Sequence, residues 1–167
     1  MRLLLAFCLL PILCAAFHGT VHVSGQLKCN GQPYAEELVQ VWEHKFIGHE
    51  VWFEEWTDRY GNFSITASGH EHVRRLHPFS PITFHYQGFS FSVYPYIWIP
   101  NYCGTEKEGD YRCTKNLVQI YVPKDFVSYA DHPRVYNIGT VDLEKAEGKS
   151  YRKIEKIFGY HQECRSY

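Results

Sequence analysis

"VHVSGQLKCNGQP" (Val21–Pro33) alternates apolar with polar residues and then stops abruptly. Val21, Val23 and Leu27 fall on one side of the alternation, and His22, Ser24, Gln26 and Lys28 on the other. A period of two belongs to a strand with one face on a core and one toward water. Cys29 ends the run, and Asn30-Gly31 followed by Pro33 turns the chain.

The same period recurs along the chain. Val39 and Val41 alternate with Gln40 and Trp42. Phe63, Ile65 and Ala67 alternate with Ser64, Thr66 and Ser68. Val118, Ile120 and Val122 alternate with Gln119 and Tyr121, and Ile138, Val141 and Leu143 form a last short run. Turn residues divide these runs at Asp58 to Gly61, Pro78 to Pro81 and Pro123 to Asp125. Short strands at this density predict an all-β, antiparallel β-sandwich of about seven strands. Two segments depart from the period. Gly88 to Asp110 is aromatic and irregular, with a strand expected only over Tyr96 to Ile99. In the tail, Tyr151, Ile154 and Phe158 recur at helical spacing, which allows one short C-terminal helix.

What a cysteine does depends on the compartment. Met1-Arg2 precedes the apolar run "LLLAFCLLPILCAA", and small residues at Cys14 to Ala16 suit a cleavage site. The run is shorter than the ~18–20 apolar residues needed to span a bilayer. Residues 1–16 are therefore expected to be a signal peptide, 17–144 the sandwich, and 145–167 a tail tied by Cys164. A secreted, extracellular protein follows, with no transmembrane segment. Cys29, Cys103, Cys113 and Cys164 remain after cleavage, an even number in an oxidising compartment. Two disulfides are expected, and four cysteines permit three pairings. No C-x-x-C pair exists to suggest zinc or redox catalysis. The formal net charge of -1 excludes a basic field of the kind that dominates nucleic-acid binding.

The blocks together resemble the transthyretin-like proteins of nematodes. "VHVSGQLKCNGQP" with "LVQVWE" is similar to the family's opening strands. "TDRYGNF" (Thr57–Phe63) is similar to its hairpin, and "YPYIWIPNYC" (Tyr94–Cys103) to its Pro-Tyr-strand-Cys block. "CTKNLVQIYVPKDFV" (Cys113–Val127) and "YNIGTVDLE" (Tyr136–Glu144) resemble its last two strand blocks. Three departures stand out: Asn101 where relatives often carry His, a reworked acidic segment, and an apparent insertion over Phe84 to Val93. The resemblance implies a transthyretin-like sandwich whose strand ends gather Cys29, Cys103 and Cys113 at one edge. It favours Cys29–Cys103 and Cys113–Cys164 among the three pairings.

Candidate sites are few. His70 and His72 share a strand face in "GHEHVRRLH" (Gly69–His77) and could bind zinc or copper. No third ligand is fixed by spacing, so a solvated loop is expected, with no metal and no cofactor. Trp52 and Trp56 would share a strand face with Glu54 and could anchor a partner; with Trp42 and Trp98, packing in the fold is the expected use. Basic residues at Lys149, Arg152, Lys153 and Lys156 are diluted by glutamates, so a solvated tail is expected rather than a membrane contact. Asn62-Phe63-Ser64 is a glycosylation sequon beside a turn. Asn101-Tyr102-Cys103 is discounted because its thiol is expected in a disulfide. Asp58 is expected to serve the turn, not catalysis.

The resemblance implies a non-enzymatic binding protein that recognises a lipid, small molecule or cell-surface partner. One alternative is a hydrolase like 5-hydroxyisourate hydrolase, which shares the fold and ends in Tyr-Arg-Gly-Ser. Here "CRSY" keeps only Arg165 and Ser166 of that ending, and no Gly-x-Ser-x-Gly elbow occurs. The other alternative is a carbohydrate-binding module using exposed tryptophans.

Overall fold

The computed structural model describes residues 17–45, 48–71, 93–129, 132–148 and 163–166. Among these the chain forms strands, joined by turns and one 3₁₀ turn at Lys124–Phe126. The expected C-terminal helix lies outside the described residues.

The opening alternation becomes β1 (Phe17–Cys29), the centre of the first sheet. β2 (Gln32–Pro33) folds back on its end through the Asn30-Gly31 turn. The second sheet takes β3 (Leu38–His44) and β4 (His49–Trp56), and β5 (Asn62–Glu71) returns to pair antiparallel with β1. β6 (Pro95–Asn101) joins β3. Two short strands follow, β7 (Lys107–Glu108) and β8 (Tyr111–Cys113), and then β9 (Asn116–Tyr121) pairs with β6. β10 (Val135–Asp142) lies on the other side of β1, and β11 (Cys164–Ser166) pairs with β8. The seven longer strands form two sheets, ordered β10-β1-β5 and β4-β3-β6-β9, and the short β7, β8 and β11 form a third.

Among the described residues every strand pairing is antiparallel except one: β10 runs parallel to β1. Its alternation predicts the strand but carries no sign of its direction, because a period of two reads the same both ways.

The core is the set of residues the alternation marks. Val21, Val23 and Leu27 of β1 and Phe63, Ile65 and Ala67 of β5 face Val39 and Val41 of β3, Ile97 and Ile99 of β6 and Val118 of β9. β6 is buried on both faces. Its Tyr96 and Trp98 form a second buried cluster with Leu117 and half-buried Trp42, on the side of the sheet away from the main core. The strand expected over Tyr96 to Ile99 runs from Pro95 to Asn101 and is buried throughout. Asn101 ends it with a buried network. Its amide donates to the Asn116 side chain and the Leu143 carbonyl, both at 2.8 Å, and its oxygen accepts from the Cys103 N–H at 2.9 Å.

Cys29 is bonded to Cys103, joining the ends of β1 and β6 across the two sheets. Cys113 is bonded to Cys164, holding β11 against β8.

The turn between β4 and β5 is fastened by Asp58. Its carboxylate accepts from the N–H groups of Tyr60 and Asn62, each at 2.8 Å, and from the Asn62 side-chain amide at 3.2 Å. These bonds, the Asn62 N–H first, hold its pKa below the usual carboxylate value. The turn then docks on β1, where the Leu27 N–H donates to the Gly61 carbonyl at 2.8 Å. Gly61 has φ +75°, and a Cβ there would stand 2.3 Å from the Leu27 carbonyl oxygen and 2.9 Å from the Tyr34 nitrogen. Gly31 has φ +76° with open space around it. Gly31→Ala should therefore cost about 1 kcal/mol, the left-handed conformation alone. Gly61→Ala should cost roughly 3 kcal/mol, because backbone must also move. Urea denaturation of both variants measures this, and equal losses would show that the turn does not pack as described.

Candidate functional site

The candidate residues gather on β4, an edge strand of the second sheet. Its pairing with β3 contains a bulge: Val41 lies opposite Phe53 and Trp42 opposite Val51, which leaves Trp52 as the extra residue. The bulge separates two side chains that the sequence places on one face. Trp56 stays outside with Glu54, whose carboxylate accepts from Gln40 Nε2 at 2.9 Å. Trp52 turns inward, packs against the main core and donates from Nε1 to the buried Glu43 carboxylate at 3.1 Å. Its indole lies over Gly69 of β5, where a Cβ would come within 1.9 Å of the ring. Only a glycine leaves room for it.

This seating opens a cleft of about 250 Å³ between β4 and β5, lined by Glu50, Val51, Trp52, Ser68, Gly69 and His70. Trp52 and His70, drawn from separate motifs, thus meet at one place. His70 sits directly opposite His18 of β1, with ring centroids 4.7 Å apart. His72 lies outside the described residues, as do the basic residues of the tail. Trp98 is buried and Trp42 half-buried, as expected of packing residues.

β4 shows both apolar and acidic side chains to solvent. Val51 is 39% exposed, Phe53 50% and Trp56 56%. Glu50, Glu54 and Glu55 are interleaved with them. Glu50 pairs with Lys45. Among the described residues, no strand covers the outer edge of β4.

The far end of β4 is braced by an ion pair that spans the chain. Arg165 of β11 reaches Glu37 with both guanidinium nitrogens, at 3.3 and 3.4 Å. The guanidinium lies 4.2 Å over the Tyr102 ring and 5.9 Å from that of Trp56. Glu37 is fully buried, and the Leu38 N–H donates to its carboxylate at 3.1 Å. Burial pushes its pKa up to about 7, against the opposing pull of Arg165, the Leu38 N–H and the Tyr34 hydroxyl. Burial also raises Glu163. The period of two marks Glu37 in retrospect: Glu37, Val39, Val41 and Glu43 occupy alternate positions, and all four are fully buried.

This arrangement puts Arg165 to structural use. The guanidinium that echoes a hydrolase ending is engaged by the buried Glu37 carboxylate and sits beside a disulfide. Asn62 is exposed at the start of β5. Asn101 is buried, and its amide makes two bonds. Among the described residues, no group of three or more His, Cys, Asp or Glu side chains is placed to hold a metal.

A sequence model of the transthyretin-like family matches residues 24–123. The chain belongs to the transthyretin-like family. The matched segment runs from β1 through β9 and includes all of β4. No curated protein matches the sequence. Among solved structures the chain is similar to a 9R-lipoxygenase from Cyanothece PCC8801, at 14% identity and a TM-score of 0.33. The likeness covers 74% of this chain and 16% of that one, and it bears on neither fold nor function. No helix among the described residues is long and apolar enough to cross a membrane.

Glu37 generates a pH dependence of stability. Its carboxyl titrates near 4.5 in the unfolded chain and near 7 in the folded one, so between those values the native state binds the extra proton. Stability therefore falls as pH rises through that window, by at most roughly 3 kcal/mol from this group. Glu163 acts in the same direction. Glu37→Gln should flatten the decline between about pH 5 and about pH 8. Denaturant midpoints across that range test it, and an unchanged slope would remove Glu37 as its source.

Proposed function

We propose that this member of the transthyretin-like family is an exported, non-enzymatic binding protein. It recognises an extracellular or cell-surface protein through the β4 edge. The observation that carries this reading is the exposure of Val51, Phe53 and Trp56 along one edge strand, interleaved with Glu50, Glu54 and Glu55. Exposed aromatic side chains on an open edge suit a macromolecular partner, which can add both apolar contact and main-chain hydrogen bonds. The carboxylates favour a partner surface that is basic around an apolar centre.

Two disulfides support export, since such bonds persist in oxidising compartments. The apolar run of residues 1–16 is read as the signal that directs it. Asn62, exposed on its turn, is the place for a glycan. A catalytic role draws little support: Arg165 is engaged by Glu37, and Asp58 is engaged by its own turn. A lipid or small-molecule ligand draws less support than a protein, because the cleft beside β4 is small and polar residues make up much of its wall.

Binding of the purified, disulfide-bonded protein to intact cells tests the proposal. Trp56→Ser and Phe53→Ser should each weaken binding about tenfold or more, since both side chains are exposed and their loss leaves the core intact. Tyr94→Ser, an exposed aromatic away from β4, should leave binding unchanged. Binding should also weaken as salt rises. Equal binding by all variants, or hydroxyisourate turnover well above the buffer rate, would overturn the reading.

A further inference from the structure

The two disulfides stand in different surroundings. Cys29–Cys103 lies inside the fold: Cys103 is 1% exposed and belongs to the main core, and Cys29 packs against it. Cys113–Cys164 lies at the surface, with Cys164 exposed and Cys113 half-buried. It joins two residues that sit directly opposite each other in the pairing of β8 with β11. Thiol–disulfide exchange requires a thiolate to reach one of the sulfurs. A bond in the core resists that approach, and one on an outer strand does not.

The exposed bond fixes a strand that has little else to hold it. β11 is three residues long, and none of them belongs to the main core. Its partner β8 is also three residues long, backed by the two residues of β7. Strands this short are marginal on their own. Besides the sulfur bridge, β11 is held by its pairing with β8 and by the bonds of Arg165 to Glu37. Just before it, the Thr114 N–H and hydroxyl donate to the Glu163 carbonyl, at 2.9 and 3.2 Å. Cys113 and Cys164 are 51 positions apart. Without the bridge, β11 must find β8 through that long loop, against the entropy of closing it. The ion pair does not compensate for this. When Arg165 leaves, its guanidinium regains water, and Glu37, which burial already pushes toward its neutral form, takes up a proton.

We propose that the Cys113–Cys164 bond is a redox-sensitive latch: a dithiol reductant opens it, β11 leaves β8, and Arg165 withdraws from Glu37 and Tyr102 while the sandwich stays folded. One thiolate of the reductant attacks the exposed Cys164 Sγ. A mixed disulfide forms, the Cys113–Cys164 bond breaks, and its electron pair leaves on Cys113 Sγ, which takes a proton from water. The second thiolate of the reductant then attacks the reductant's own sulfur in the mixed disulfide. That closes the reductant's disulfide and releases Cys164, which is protonated in turn. The protein gains two electrons and two protons, and the dithiol gives up both. Cys29–Cys103 keeps the two sheets joined throughout. Opening uncovers Tyr102, which is 4% exposed beneath the guanidinium, and removes the cation beside Trp56. The latch does not depend on what the β4 surface binds.

Graded dithiothreitol at neutral pH, followed by alkylation and peptide mapping of the folded protein, tests the latch. Cys113 and Cys164 should be half-labelled at a dithiothreitol concentration ~10-fold or more below that needed for Cys29 and Cys103. In protein reduced at the lower concentration, the β11 amides should exchange hydrogen ~10-fold or more faster, while those of β1 and β6 keep their protection. The Trp56 indole resonance should shift on reduction, and Arg165→Gln should shift it with both disulfides intact. Labelling of all four cysteines at one concentration would overturn the proposal. So would loss of protection throughout the chain on reduction, or unchanged β11 protection once Cys113 and Cys164 are labelled.

Discussion

One strip of apolar side chains, Val21, Val23 and Leu27 on β1, sets the terms for the rest of the molecule. It must be covered, and the second sheet covers it with Val39, Val41, Ile97 and Ile99. Apolar burial is the dominant favourable term in folding, and it is not directional. Direction comes from what surrounds the strip. The Gly61 carbonyl docks on Leu27, the Tyr34 N–H does the same from the other side, and the Cys29–Cys103 bond closes the end where β1 stops. Each acts within a few residues of Leu27. The register of the two sheets is thus fixed at the place where the first alternation ends.

Several polar side chains inside this packing are bonded. Asn101 uses both its amide and its carbonyl within the buried end of β6. Glu43 receives the Trp52 indole, and Glu37 receives Arg165. Glu43 shares a face of β3 with Val39 and Val41, and Glu37, just before β3, continues that alternation at the other end of the apolar pair. They fix opposite ends of β4. Glu43 draws Trp52 inward and so sustains the bulge, and Glu37 brings Arg165 beside Trp56. The small third sheet acquires a purpose from this. The Cys113–Cys164 bond holds β11 where Arg165 can reach across to the second sheet.

The strands and the core were largely legible because a period of two is written in single residues. What depended on register or direction was not. The parallel run of β10 is invisible to a pattern that reads the same both ways. The inward turn of Trp52 follows from one extra residue opposite Val41 and Trp42, which becomes evident only once β3 and β4 are aligned. The strand through Tyr96 and Trp98 was legible over Tyr96 to Ile99, but its burial on both faces was not, since such a strand shows no alternation. The histidine pair is the same kind of omission. His70 and His72 drew notice for being neighbours in sequence, whereas the structure gives His70 a partner fifty-two positions earlier, His18.

Edge strands are a liability, and proteins blunt them with charges and bulges. β4 carries both: Glu50, Glu54 and Glu55 are interleaved along it, and Trp52 forms a bulge. Those devices would be complete with polar residues at the remaining positions. Instead Val51, Phe53 and Trp56 are exposed there. Trp56 is also held, with Arg165 placed between its ring and that of Tyr102. A side chain kept apolar, exposed and braced on a guarded edge loses less conformational freedom when a partner covers it than one that moves freely. The carboxylates then have a double effect, repelling another copy of the same acidic edge while attracting a basic one. Guarding against self-association and selecting a partner are in this strand the work of the same residues.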